Sequence, residues 1–233
     1  MEVNPLAKIL RFVSYLRERA SKQGFAHLPA FLYQRVKVEL IERRYGIHTR
    51  GWIGSGTFTE DPNCFDYDPI DYETIQEAFS TLKLEDGKSV LLDYGCGKGR
   101  ILAVAARYPF QRVLGIELSK YLCDLAEGNL KSMRLPKRCT SLQIINADAR
   151  SYTVPSDVDV IFLFNPFAGE IMSAVVQKVE QSLAASPRAM TIFHIHFQRV
   201  DSPFAASKYF TKARNLSLLF REEMVFEVFE SVR

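Results

Sequence analysis

Between Val90 and Arg100 the chain reads VLLDYGCGKGR, a short apolar run that leads straight into glycines at 95, 97 and 99 and then into a helical pattern. Glycine at a strand-to-helix turn lets backbone approach a ligand closely. The third glycine arrives one residue early for the dinucleotide fingerprint GxGxxG, and Arg100 stands where that motif wants glycine, which disfavours NAD. A phosphate loop of the form GxxxxGK[ST] is also ruled out, because Lys98 is followed by Gly99. Three acids accompany the glycines. Asp93 sits two residues before Gly95, Glu117 closes the next β-rich run, and Asp148 lies in NADAR at the end of the third. Neighbouring strand ends of a doubly wound sheet face one crevice, so an acid placed as Glu117 is can grip both hydroxyls of a ribose. A carboxylate at Asp148 can accept from an exocyclic adenine amine while the Ala149 amide addresses a ring nitrogen.

In this order and spacing, DYGCGKGR, GIEL, NADA and FLFNPF resemble the successive motifs of class I S-adenosylmethionine-dependent methyltransferases, over roughly residues 65 to 233. The resemblance implies S-adenosyl-L-methionine as cofactor. Carried over residue by residue, it puts the methionine portion on Asp93, Gly95, Cys96, Gly97 and Gly99, the ribose on Glu117 and Leu118, and the adenine on Asp148 and Ala149, with Tyr67 and Asn165 also beside the cofactor. Within the class, YGIHTRG and YDPIDY resemble a group of small bacterial methyltransferases of unassigned substrate, and VIFLFNPFAGE is locally similar to non-SET histone lysine methyltransferases.

The fourth β-rich run ends at Asn165, Pro166 and Phe167, where the sulfonium methyl should project. Methyltransferases that modify adenine or glutamine amino groups carry [DNS]PP[YFW] here, and this chain has one proline instead of two. Even so, the Asn165 side-chain oxygen and the Pro166 carbonyl suit the N–H groups of an amine or amide, aiming its lone pair at the methyl. Phe167 would cover the substrate or favour a cation by ring contact. Because the cofactor supplies the electrophile, the protein's task is to position, desolvate and accept a proton. Tyr72, with Tyr67, is a candidate to line the transfer pocket, so Asn165, Phe167 and Tyr72 form the expected catalytic set. No metal is expected: His194 and His196 share a strand face with no third ligand in view, and satisfied imidazoles on a half-buried face are the better reading. Cys96 reads as a small packed residue rather than a nucleophile. Trp52, the only tryptophan, either stacks on a substrate or anchors a lid.

The elements needed to position these residues follow from periodicity. SVLLDY, RVLGIEL, SLQIINA, VDVIFLF and AMTIFHIHF read as strands, with helices near 100–107, 121–131 and 170–183. A short helix is expected around 203–210, followed by NLSLLFREE and MVFEVFES as an antiparallel pair. The fold class is α/β: a doubly wound, mostly parallel seven-stranded sheet with an antiparallel C-terminal hairpin and an N-terminal helical extension. Residues 1–64 are expected as that extension, two amphipathic helices and a Gly-rich hinge or lid loop at 46–63, and residues 65–233 as the cofactor-binding domain.

Composition sets the remaining bounds. The chain has 233 residues, 47% hydrophobic, with a formal charge of +3, which excludes global disorder. Four scattered cysteines without a CxxC pair read as reduced thiols. No run is long enough to span a membrane, charges interrupt any signal-peptide core, and a cytoplasmic protein is expected. Residues 1–50 hold ten Lys and Arg against four Asp and Glu, so a nucleic-acid partner stays open, although a solvated helix face explains such charge more often. The expected partner is a protein or small-molecule methyl acceptor. The alternatives are an RNA or DNA methyltransferase and a silent binding module that keeps the fold.

Overall fold

A computed structural model describes residues 28–218 and 223–232. The expected first amphipathic helix, around Leu6 to Leu16, lies outside them. Helix α1 spans Leu28–Tyr45, with Pro29 in its first turn, where a missing N–H costs nothing. The chain divides into two compact units, the second of which is Tyr45–Arg233. In that unit a loop with a single 3-10 turn at Ser55–Thr57 leads to α2, Tyr72–Ser80.

From there strand and helix alternate: β1 Val90–Tyr94, α3 Arg100–Ala105, β2 Arg112–Glu117, α4 Lys120–Ser132, β3 Ser141–Asn146, β4 Val160–Phe164, α5 Gly169–Ala185 and β5 Thr191–Phe197. Strands β6, Phe210–Leu216, and β7, Met224–Ser231, complete the sheet. The strand order is β3-β2-β1-β4-β5-β7-β6, parallel through β5 and antiparallel at both β5/β7 and β6/β7. The order reverses between β1 and β4, and at such a switch point the carboxyl ends of the strands open a crevice.

Strand β1 is buried at all five positions because helices cover both faces of the sheet. On one face Phe79 of α2 meets Phe162 and Phe193 edge-on, at 6.1 and 6.5 Å between centroids. On the other, Ile171, Val175 and Val179 of α5 pack with Leu92, Tyr94, Ile161 and Leu163. These layers are rigid supports for the strand ends above them.

The C-terminal hairpin is formed, and its first arm begins earlier than expected: of NLSLLFREE, Asn215 and Leu216 end that arm, and residues 219–222 lie outside the described residues. β7 covers MVFEVFES, but its partner is FTKARNL at 210–216, running from Phe210 opposite Ser231 to Leu216 opposite Phe226. Charge pairing supports this register: Lys212 Nζ lies 2.6 Å from Glu227 and Arg214 lies 3.3 Å from Glu230. Only Phe210 of β6 is buried, so this polar edge strand carries little of the apolar alternation that sequence reading depends on. The helix expected around 203–210 is a single 3-10 turn at Pro203–Ala206. Among the described residues no helix is long and apolar enough to cross a membrane.

Candidate functional site

The turn between β1 and α3 is gripped from two sides. Gly95 and Gly97 have φ of +71° and +53°, a region that L side chains enter at a cost. A Cβ on Gly95 would lie 2.5 Å from the Pro166 side chain, and one on Gly97 would lie 2.3 Å from the Tyr67 ring. The turn is thus packed against both the end of β4 and the loop before α2. Gly99, also left-handed, caps α3.

Glu117 ends β2 with its carboxylate turned back onto the turn. Its Oε2 accepts the Gly97 N–H at 2.9 Å and its Oε1 accepts the Ser119 N–H at 2.9 Å. Burial raises its pKa while these backbone donors pull it down. Each oxygen keeps a further lone pair for a ligand hydroxyl. Asp93 is 1% exposed, and neither carboxylate oxygen has a hydrogen-bond partner. Burial, and then the nearby Glu117 charge, push its pKa well above the usual carboxylate range. Asp148 lies at the crevice rim, where Arg150 donates to both its oxygens, the closest contact being 2.6 Å, and reaches Asp61 of the loop at 3.0 Å. The Arg150 hydrogen bonds hold the Asp148 carboxyl below its ordinary range.

Asn165 is the non-glycine residue with positive φ, +41°, among the described residues. Its backbone N–H is tied to Ile195 O at 2.8 Å, which fixes the turn at the end of β4. The Pro166 carbonyl, expected to face a substrate, accepts the Phe65 N–H at 3.2 Å, so one of its two acceptor positions serves the fold. Phe167 is 7% exposed and sits edge-on to Tyr94 at 6.3 Å, forming part of both the core and the crevice wall.

One open cleft brings most of the expected residues together: Tyr67, Gly95, Cys96, Glu117, Leu118, Asp148, Ala149, Asn165 and Phe167 all line it. Gly97 and Gly99 are behind its lining as part of the turn, and Asp93 lies in the strand beneath. Tyr72 is elsewhere. It is fully buried, its ring lies 4.5 Å beneath the Arg100 guanidinium, and its hydroxyl is 3.4 Å from Thr49 Oγ1. The side chain is therefore a support for the loop rather than a wall of the cleft.

Sequence reading missed that support. Thr49, buried in the Gly-rich loop, receives Arg100 Nε at 2.7 Å on its hydroxyl and the Tyr67 hydroxyl at 2.6 Å on its carbonyl. Arg100 also donates to Ile70 O at 2.7 Å, and Lys98 donates to Arg50 O at 2.7 Å. The residue that breaks the dinucleotide fingerprint thus ties the loop to the glycine turn. His194 and His196 stack at 4.5 Å, bonded to Ser202 Oγ and Glu227 Oε2, each at 2.8 Å. They are satisfied imidazoles on a buried face. Cys96 is buried against Gly115, and burial raises its thiol, so it is no nucleophile. Trp52 is exposed, with Nε1 donating to Asp66 at 3.1 Å.

Residues 91–186, from β1 through α5, match the family model described as a methyltransferase domain. These residues carry a methyltransferase domain. Solved structures agree on the fold. An RNA methyltransferase from Salinibacter ruber, in complex with S-adenosyl-L-homocysteine, superposes with TM-score 0.51 at 19% identity, covering 70% of this chain and 93% of that one. An S-adenosylmethionine-dependent methyltransferase from Geobacter sulfurreducens, in complex with the same molecule, gives 0.50 at 16% identity over 70% and 92%. The methyltransferase domain of bacterial CtHen1 gives 0.53 at 16% identity over 70% and 100%. No curated protein matches the chain.

The methyltransferase cleft suits its cofactor on its own geometry. The orphaned Asp93 carboxyl is a buried acceptor awaiting a cation, the glycine turn has no room for added Cβ atoms, and Glu117 offers two fixed oxygens beside it. A zwitterionic amino acid joined to a nucleoside matches that donor and acceptor set.

Proposed function

We propose that this chain transfers the methyl group of S-adenosylmethionine to a nitrogen presented at the end of β4, with Asn165 as the group that orients it. The observation that carries this reading is Asn165. It is held in the left-handed region at the switch point, it lines the cleft, and its side-chain amide makes no hydrogen bond among the described residues. A strained polar residue held at such a point reads as one kept for a ligand. Its amide oxygen accepts one acceptor N–H, which turns the nitrogen lone pair toward the methyl.

When bound, the cofactor supplies a sulfonium-activated methyl group, so no activated nucleophile is needed from the protein. Glu117 and Leu118 hold the ribose, Asp148 and Ala149 the adenine, and Asp93 with the Gly95–Gly99 turn the amino-acid portion. Phe167 and Tyr94 close the wall behind Asn165 and keep water out. Tyr67 presses on Gly97 from the loop and Tyr72 props the loop through Thr49, so both are positioning residues.

Calorimetry of S-adenosylhomocysteine binding to Glu117→Ala tests the cofactor assignment. Loss of a carboxylate that accepts two hydroxyls costs about 2–4 kcal/mol, an affinity drop of about thirtyfold or more. Wild-type affinity in the variant would show that Glu117 does not hold the ribose.

A further inference from the structure

A second cavity opens on the far side of Asn165, away from the glycine turn. It shares Phe65, Asp66 and Asp68 of the loop and Phe164 and Asn165 of β4 with the cofactor cleft, so the two meet at the proposed point of transfer. Its outer wall comes from Trp52 and from Phe197, Glu223 and Met224 of the C-terminal strands and their connection. Residues that the cofactor site leaves unused therefore converge on this space.

The lining has a definite chemistry. Three carboxylates, on Asp66, Asp68 and Glu223, stand among four aromatic rings, and among the described residues no Lys or Arg lines the cavity. Asp66 is fixed by the Ser55 N–H at 2.7 Å and the Trp52 indole N–H at 3.1 Å, and these bonds hold its carboxyl below the ordinary range, so it is charged at neutral pH. Phe65 and Phe197 meet edge-on at 6.0 Å, which leaves ring faces turned elsewhere. One face of Phe197 already holds a cation, the Arg199 guanidinium at 5.1 Å. Carboxylates and ring faces together favour a positively charged, partly apolar guest and repel a phosphate backbone.

We propose that this cavity is the acceptor site and that it takes a primary alkylammonium, the head of a lysine side chain or of a free alkylamine. The inference rests on the methyl-transfer reading above and names its substrate class. The ammonium arrives charged and gives one proton to a lining carboxylate or to water. Its freed lone pair forms the N–C bond as the S–C bond breaks, and that bond's electrons remain on sulfur. No further reagent is required.

The test titrates the protein, saturated with S-adenosylhomocysteine, with n-butylammonium, with a short lysine-bearing peptide and with neutral n-butanol. Both cations should bind at least about tenfold more tightly than n-butanol, Glu223→Gln and Asp68→Asn should each weaken the cations about tenfold, and Glu223→Gln, which is outside the cofactor cleft, should leave S-adenosylhomocysteine affinity within about twofold. Tighter binding of the peptide assigns the amine to a protein; equal affinity assigns it to a small molecule. Binding of n-butanol as tight as that of the cations, no effect of either carboxylate variant, or preference for an oligonucleotide would overturn the proposal. If wild-type protein fails to bind S-adenosylhomocysteine, the methyl-transfer reading falls instead, and the same titration without it tests the cavity alone.

Discussion

The backbone N–H of Gly97 donates to Glu117 Oε2 at 2.9 Å, joining two residues that are 20 apart in sequence. The glycine turn and the acid of the second strand are thus held in one arrangement before any ligand arrives. Preorganisation of this kind avoids an ordering cost on binding.

Gly97 is the position where a single methyl group should do most damage. Alanine there takes on about 1–2 kcal/mol from the left-handed backbone, plus a clash with the Tyr67 ring. The expected outcome for Gly97→Ala is a fall of about 5 °C or more in Tm together with lost S-adenosylhomocysteine affinity. Adding Tyr67→Ala should restore the steric part and not the backbone part. No recovery in the double variant would mean the ring is not what confines the turn.

Asp93 should weaken the empty protein in a pH-dependent way. Its folded pKa lies above its unfolded value of about 3.9, so the folded state binds more protons within that window and stability falls as pH rises through it. Asp93→Asn removes the penalty. Thermal denaturation of the ligand-free variant should therefore show a stability gain over wild type that is absent near pH 3 and grows as pH increases. S-adenosylhomocysteine should bind the variant more weakly, because the neutral amide cannot meet an ammonium. A variant that gains stability equally at every pH would contradict the buried-acid account.

Asn165 offers a clean separation of backbone from side chain. Glycine accepts the +41° φ without strain, so Asn165→Gly should keep the fold and hold S-adenosylhomocysteine affinity within about twofold. Turnover should fall about tenfold to a hundredfold if the amide orients the acceptor. Equal losses in binding and turnover would make Asn165 a cofactor residue.

His194 predicts an acid limb of instability. Burial, reinforced by neighbouring His196, lowers its pKa to about 3, so it is neutral in the fold. The unfolded chain binds a proton on this group between about pH 6.5 and pH 3, so stability is lost as pH falls through that interval. Urea unfolding from pH 7 to pH 4 should show a smaller decline in His194→Gln than in wild type. An unchanged decline would place the acid sensitivity elsewhere.

Much of this protein was legible without coordinates. The run VLLDYGCGKGR could only be a buried strand entering a tight turn, because three glycines within five positions make poor helix and poor strand alike. Strand alternation with helical periods fixed a parallel sheet, and strand ends fixed where Glu117, Asp148 and Asn165 had to gather. Those are properties of local pattern and topology, which a sequence carries directly. Three matters were decided only by tertiary packing. The register of β6 is defined by its ladder with β7 and not by its own apolar pattern, since only Phe210 of it is buried, and Tyr72 went to the core because Arg100 and Thr49 close over it. The carboxylates Asp66, Asp68 and Glu223 came together because the segment before α2, the end of β4 and the C-terminal strands converge on one space. Each of the three depends on contacts between residues far apart in the chain, and the type of either partner alone does not specify that they meet.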